Sequence, residues 1–356
     1  MNNLVHHPNK AFDYARLYAS SVAAILVWGF RAKDFDSFFY KDFYNFVDQW
    51  LDAIEPGANP PVEQLPWLWY LPGAWKKRAY HVRSLMDTTW SKARQMVEDR
   101  RGRGDVRDSM IDLKLAEYEK SGWPMSQYSF NNLGGEMLEA GADTTANMLL
   151  TIILAVTKFP EVQIKARKEL DEVCGTERTP SLYQLYHQRG FEVAPNFRFG
   201  DPTSTRKSTV WLAAWAIHQN DEEYPDHDRF NPDRFKNHTK LANDYAVGPD
   251  WQNRDKFFLV RSLPEHFSAD FSRVYIITDM EQAAECALVY TWLRELLWAF
   301  EFEELPDRPI DVNAYTSSNL VRPLEYEVKV TPRSKQHEKV IKTELTGALD
   351  FLGQYD

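Results

Sequence analysis

The amino-acid sequence predicts a mainly α protein with small β elements. Apolar residues recur at spacings of three and four through most of the first 175 positions, and period-two alternation is confined to short stretches. The chain has no internal repeat and no low-complexity tract. With 356 residues, 44% of them hydrophobic, it can bury a sizeable core and is too apolar to be a disordered tail. At roughly 150 residues per domain, that length fits one large or two to three ordinary domains.

From Phe12 to Phe46 the pattern is aromatic and helical, with Tyr14, Tyr18, Val22 and Ile25 on one side. Residues 61–75, PVEQLPWLWYLPGAW, combine three prolines with three tryptophans and read as a rigid connection. Their apolar bulk serves either a packed core or a ligand- or membrane-facing surface, and the residues leave both open. Lys76 to Arg100 carries a long charged amphipathic helix, ended by Arg-Gly-Arg-Gly at 101–104. The basic run Arg100–Arg103 reads as a solvated helix end, and Asp105 to Lys120 as a surface helix.

Tyr128 to Phe159 is long and weakly charged, which places it inside a helical domain. Pro160 opens the next helix with Glu161 in its first turn, and Gly175 follows its end. Residues 176–237 are irregular, with a short β-like stretch at Thr209–Ala213. Ala283 to Phe302 is again helical, and Tyr315 to Pro332 alternates enough to predict a small terminal sheet.

Composition narrows the function classes. A net charge of -10 argues against nucleic acid as a partner. Two cysteines, Cys174 and Cys286, exclude a multi-disulfide scaffold and any four-cysteine metal centre. The start, MNNLVHHPNK, is not a targeting segment, and the apolar run Val22–Phe30 is too short to cross a bilayer. As it stands the chain reads as soluble, with no transmembrane anchor. There is no nucleotide-binding glycine loop, no His-Glu-x-x-His and no nucleophile elbow, because Gly134-Gly135 falls within a helix. The triplet Asn237-His238-Thr239 fits the glycosylation pattern but lacks a secretory context.

The most informative motif is Ala140-Gly141-Ala142-Asp143-Thr144-Thr145 within the long apolar helix. A Gly beside an Asp-Thr pair weakens a helix, so it marks either a packing notch or a site. Thr144 can bond back to an upstream carbonyl, and the small Ala-Gly pair lets another body approach the backbone.

This motif, followed by FPEVQIKARKELDEV, resembles the oxygen-binding helix and following helix of the cytochrome P450 haem-thiolate monooxygenases. The resemblance continues through Trp215–His218, Tyr224–Phe235 with Arg234, Leu297–Phe300, Pro309–Pro323 and Val328–Pro332, and has a fungal flavour. It implies a helical cytochrome P450-like domain over residues 1–356. Residues 1–120 would form substrate-side helices, 121–175 the oxygen-binding helix and its successor, 176–282 a degenerate haem-side region, and 283–356 the last long helix and terminal strands.

By that resemblance Asp143 and Thr144 are catalytic, delivering protons to bound dioxygen. Ala140, Gly141, Arg189 and Arg234 contact the cofactor, haem, while Tyr315, Thr316 and Ser317 line the substrate side. The implied activity is oxidation of a hydrophobic small molecule in specialised metabolism, with electrons from an NADPH-dependent reductase. Relatives of this kind are anchored in the endoplasmic reticulum, whereas this chain reads as cytoplasmic.

Three departures temper the expectation of haem. The chain starts late, so the anchor and early haem-side helices are expected to be missing. The family's Glu-x-x-Arg pair is imperfect, with Tyr186 at the Glu position before Arg189 and Glu192 nearby. The proximal Cys position falls near Thr278 or Asp279, and residues 271–281 hold neither cysteine nor glycine. Cys286, among Ala283, Ala284, Ala287 and Leu288, reads as a buried inert thiol, and neither His218 nor His266 lies in a proximal-type loop. These departures raise a second reading: a haem-free remnant or binding scaffold, or a non-oxidative enzyme using the old pocket.

Overall fold

One long helix organises the packing. The computed structural model describes residues 1–180 except 56 and 63, residue 226, and residues 291–356 except 317–320. Apart from residue 226, these belong to one compact unit, Met1–Ser181 with Glu285–Asp356, and a second unit spans Leu182–Ala284.

The described helices are α1 (Asn2–His6), α2 (Ala11–Trp28), α3 (Phe38–Ile54), α4 (Ala74–Gly102), α5 (Met110–Ser121), α6 (Gln127–Lys158), α7 (Pro160–Cys174), α8 (residues 291–299) and α9 (Lys335–Leu352). Two antiparallel strands, β1 (Phe300–Glu304) and β2 (Val328–Pro332), pair with Phe302 opposite Val330.

Local chemistry sets the helix boundaries. Ser126 caps α6 by accepting from the Ser129 N–H at 3.0 Å, and Pro160 opens α7, which Gly175 ends at φ 64°. Gly29 closes α2 in the left-handed conformation at φ 73°, with its N–H on Ile25 O at 3.0 Å. Among the described residues, α6 is the one helix long and apolar enough to cross a membrane. Its apolar window is 61% buried by its neighbours, as expected of a core helix.

Two apolar clusters share α6. The first half, with Phe130, Leu138 and Ala142, joins Trp28, Phe39, Phe43, Phe46, Trp90 and Ile111. The second half, with Leu149, Leu150 and Ile153, joins Trp292, Trp298, Phe300, Val330 and Val340. Glycines set the close approach in the first cluster. A Cβ on Gly134 would come within 2.6 Å of Trp28 Cζ2, and one on Gly135 within 2.6 Å of Trp90 Cδ2. The two indoles stack with centroids 6.3 Å apart and planes 11° from parallel.

Four expectations need correction. Arg100 is not a solvated helix end: it is 1% exposed and pairs with Asp112 of α5, whose carboxylate also accepts from Ser109 Oγ at 2.6 Å. That pairing also makes α5 partly internal, with Ile111, Asp112 and Leu115 buried. The helix expected through Phe302 ends at residue 299, where Phe300-Glu-Phe302-Glu alternates as β1. The terminal sheet takes only Val328–Pro332 from the alternating tail, and the chain continues into α9, a helix not anticipated.

On β1, the Gln163 side chain of α7 donates to Phe302 O at 2.9 Å and accepts from Phe302 N at 2.9 Å. Arg167 adds a bond to Phe300 O at 2.7 Å.

Candidate functional site

Between the two apolar clusters, α6 carries a polar break. Asp143, Thr145 and Asn147 are all buried there. Around the helix from them, Glu136, Ala140, Thr144 and Met148 recur every four residues as an exposed stripe. Thr144 Oγ1 donates to Ala140 O, the back-bond its position predicted. Gly141 faces the other way, where an added Cβ would meet Ala23 Cβ of α2 at 3.5 Å. The motif is therefore both things at once: a shallow notch on α2 and an open face of small side chains.

Asp143 is 3% exposed, and its Oδ2 accepts from Asn147 Nδ2 at 3.4 Å. Its Oδ1 is buried with no hydrogen-bond partner. Burial pushes this carboxyl above the usual range, while the charges of Arg16 and Arg322 pull it back.

Those two cations belong to a network reaching solvent. Arg16 lies 3.6 Å from Asp48 and holds its guanidinium 3.8 Å from the Tyr44 ring centroid. Tyr44 donates to Arg16 O at 3.1 Å, and Arg322 reaches the half-exposed Asp48 at 3.3 Å.

One turn before Asp143, Glu139 is pushed up to about 8 by burial, with Glu136 and Asp143 adding to the effect.

The segment before β2 folds back on itself. Tyr315 bridges Pro323, Thr316 N donates to Arg322 O at 2.9 Å, and Arg322 N donates to Thr316 Oγ1 at 3.1 Å. Tyr326 then anchors the segment to α6 by donating to Leu150 O. Through Arg322 the turn holding Tyr315 and Thr316 shares a charge network with Asp143.

A family model for cytochrome P450 matches residues 5–187, just over half the chain. Cytochrome P450 monooxygenase patI of Aspergillus clavatus is 30% identical over 383 aligned residues, covering 100% of this chain and 70% of the relative. This chain belongs to the cytochrome P450 family. Cytochrome P450 monooxygenase yanC of Aspergillus niger is 31% identical with the same two coverages. A solved zebrafish cytochrome P450 shares the fold, with a TM-score of 0.59 at 17% identity over 94% of this chain and 74% of its own. The chain is homologous to fungal P450 monooxygenases, and haem is the cofactor of that family.

The described residues fit haem on one side. A flat macrocycle needs small side chains and open space, and Ala140 and Thr144 offer both on the exposed stripe. Asp143, with an unpartnered buried oxygen, stands directly behind them in the helix. On the ligand side, residues 271–281, Cys286, His218 and His266 lie outside the described residues, as do Arg189, Arg234 and Ser317. Among the described residues there is no group of three or more His, Cys, Asp or Glu able to hold a metal ion. Cys174 ends α7, half-buried against the Trp298 cluster.

The sequence singled out Asp143 and Thr144 as candidates, but not Arg16, Tyr44, Asp48 and Arg322, whose charges and rings lie around Asp143. Those four come from α2, α3 and the pre-β2 turn, and no local pattern links them. Asn147 carried a signal, standing four residues after Asp143 on the same helical face.

Proposed function

We propose that this chain serves monooxygenase chemistry on a hydrophobic small molecule, with haem held against the open face formed by Ala140 and Thr144, while Gly141 faces α2 on the other side of the helix. The observation that carries the reading is the arrangement on α6: the small exposed side chains of Ala140 and Thr144, backed by a buried carboxyl with one unpartnered oxygen. Bound there, haem would supply the activation of dioxygen.

The chain's own residues supply protons and shape. Asp143, its affinity for a proton raised by burial, holds one near neutral pH more readily than an ordinary carboxyl does. Arg16 and Arg322, both beside the half-exposed Asp48, pull that affinity part of the way back, so the carboxyl can release its proton as well as hold it. Thr144 presents its hydroxyl on the open face while its bond to Ala140 O fixes the rotamer. Tyr315 and Thr316 border the substrate, and Arg189, Arg234 and Ser317 complete the contacts by resemblance. An NADPH-dependent reductase is the electron donor in this reading.

A second reading, a haem-free remnant or scaffold, is favoured by one observation: residues 271–281 contain no cysteine. Reconstituting the chain with haem, reducing it and adding carbon monoxide separates the two. A thiolate-type Soret band supports the monooxygenase. A cooperatively folded protein with no such band overturns it in favour of the remnant.

A further inference from the structure

Beyond β2 the chain continues as α9, which is anchored at both ends and bare in its second half. At the first end Ser334 caps the helix by accepting from the His337 N–H at 3.4 Å, and the buried His337 ring meets Trp298 of α8 at 4.5 Å. Val340 and Ile341 complete that anchor in the Trp298 cluster. After Ile341 no residue of α9 is buried, and Leu349 and Phe351 stand exposed. Gly347 falls within this stretch, where glycine weakens a helix. So short a helical piece is marginal in water, and residues 342–352 depend on a hold at their far end.

That hold is ionic. Asp356 Oδ1 lies 3.1 Å from Arg31 Nε and its Oδ2 3.1 Å from Lys33 Nζ, on the corner between α2 and α3. Arg31 N donates to Tyr355 O at 2.9 Å, and Arg107 Nη2 donates to Asp356 O at 3.4 Å. Arg107 is itself fixed by donating to Gly29 O at the end of α2 and twice to the Asp105 carboxylate. Asp356 and Lys33 are both partly exposed, so these pairs are weak and screened by salt. A fastening of that kind opens readily.

Between its anchors α9 grips another part of the chain. Glu344, three residues past Ile341, accepts from Thr179 N at 3.2 Å and from Thr179 Oγ1 at 2.6 Å. Gln336 donates to Glu177 at 3.2 Å. Thr179 stands two residues before Ser181, where the chain leaves the first unit for Leu182–Ala284. Trp298, against His337, lies on the helix that follows the return, and its Nε1 donates to Gly175 O at 2.7 Å. One helix therefore holds the chain on its way out and on its way back.

We propose that α9 is a releasable strap. Arg31, Lys33 and Arg107 latch residues 355–356, and opening the latch frays the helix back to Ile341 and frees Thr179 from Glu344. The trigger is screening of these three cations, or competition for them, by anions. The strap is independent of haem and of the reaction proposed above.

Hydrogen–deuterium exchange of the full chain, read by mass spectrometry at low and high sodium chloride, is the test. In the parent, peptides spanning 345–355 and 176–180 should exchange ~5-fold faster at high salt, while those spanning 337–341 and α2 hold steady. Asp356→Asn should reproduce that change at low salt and remove the salt dependence. Glu344→Ala should release 176–180 alone, leaving 345–355 protected. Faster exchange confined to 345–355 overturns the strap, as does exchange indifferent to both salt and Asp356→Asn. An equal rise through α2 and α6 also overturns it, since that marks a loss of global stability.

Discussion

Gly135→Ala is the sharpest test of how α6 meets α4. The new methyl would lie 2.6 Å from Trp90 Cδ2 and closer still to Cε2 and Nε1. The indole cannot swing away, because Trp28 stacks on it and the Phe46 ring meets its edge at 5.4 Å and 77°. Alanine in a helix interior gains about 0.5–1 kcal/mol over glycine, whereas overpacking a filled core loses about 1–3 kcal/mol. With the ring locked, the upper end of that penalty applies, and a net loss of about 2 kcal/mol is expected.

Gly141→Ala is the internal control. Its methyl would meet Ala23 Cβ at 3.5 Å, an ordinary contact, so only the helical gain remains. Urea unfolding followed by circular dichroism should move the two midpoints in opposite directions, Gly135→Ala down and Gly141→Ala up. A Gly135→Ala protein as stable as the parent would refute the packing argument, and so would two shifts of the same sign.

Other expectations follow from the charged groups. Glu139 rises from its ordinary value near 4.5 to about 8 in the folded chain. Folded protein therefore binds the extra proton between those values, and stability falls as pH rises through that window. Glu139→Gln should remove the slope, gaining up to about 4 kcal/mol at pH 8 and little at pH 4.5 in urea titrations. Asp112→Ala leaves the buried Arg100 only Asp105, at 3.7 Å, and should lose about 3 kcal/mol, while replacing both by leucine and methionine recovers most of that in the same assay. In a haem-loaded, reductase-coupled assay, Asp143→Asn should lower turnover by about 100-fold. Its unfolding midpoint should stay level or rise, because a buried carboxyl with an unpartnered oxygen has been neutralised.

Local chemistry made much of this chain legible. Ser126, Pro160 and Gly175 mark the ends of α6 and α7 because caps act within a turn of the residue that supplies them. The Ala140–Thr145 motif stood out because it opposes helix propensity in the middle of a helix. What escaped was non-local or masked by composition. Trp298-Ala299-Phe300 is uniformly apolar, so the change of period at Phe300 is hidden until Glu301 and Glu303 appear. Arg100 looked solvated because its partner Asp112 lies across a turn and on another helix. The groups around Asp143 come from three separate segments, and only folding makes them neighbours.

A two-stranded sheet offers an unpaired outer strand, a standing invitation for another chain to add itself. Here α7 has already answered it. The Gln163 amide engages both backbone groups of Phe302 as a neighbouring strand would, and Arg167 occupies the Phe300 carbonyl. Among the described residues, two side chains thus take the place of a third strand on that edge of β1 and keep its backbone groups from templating another chain. Losing Gln163 would reopen that edge while leaving β1 and β2 paired.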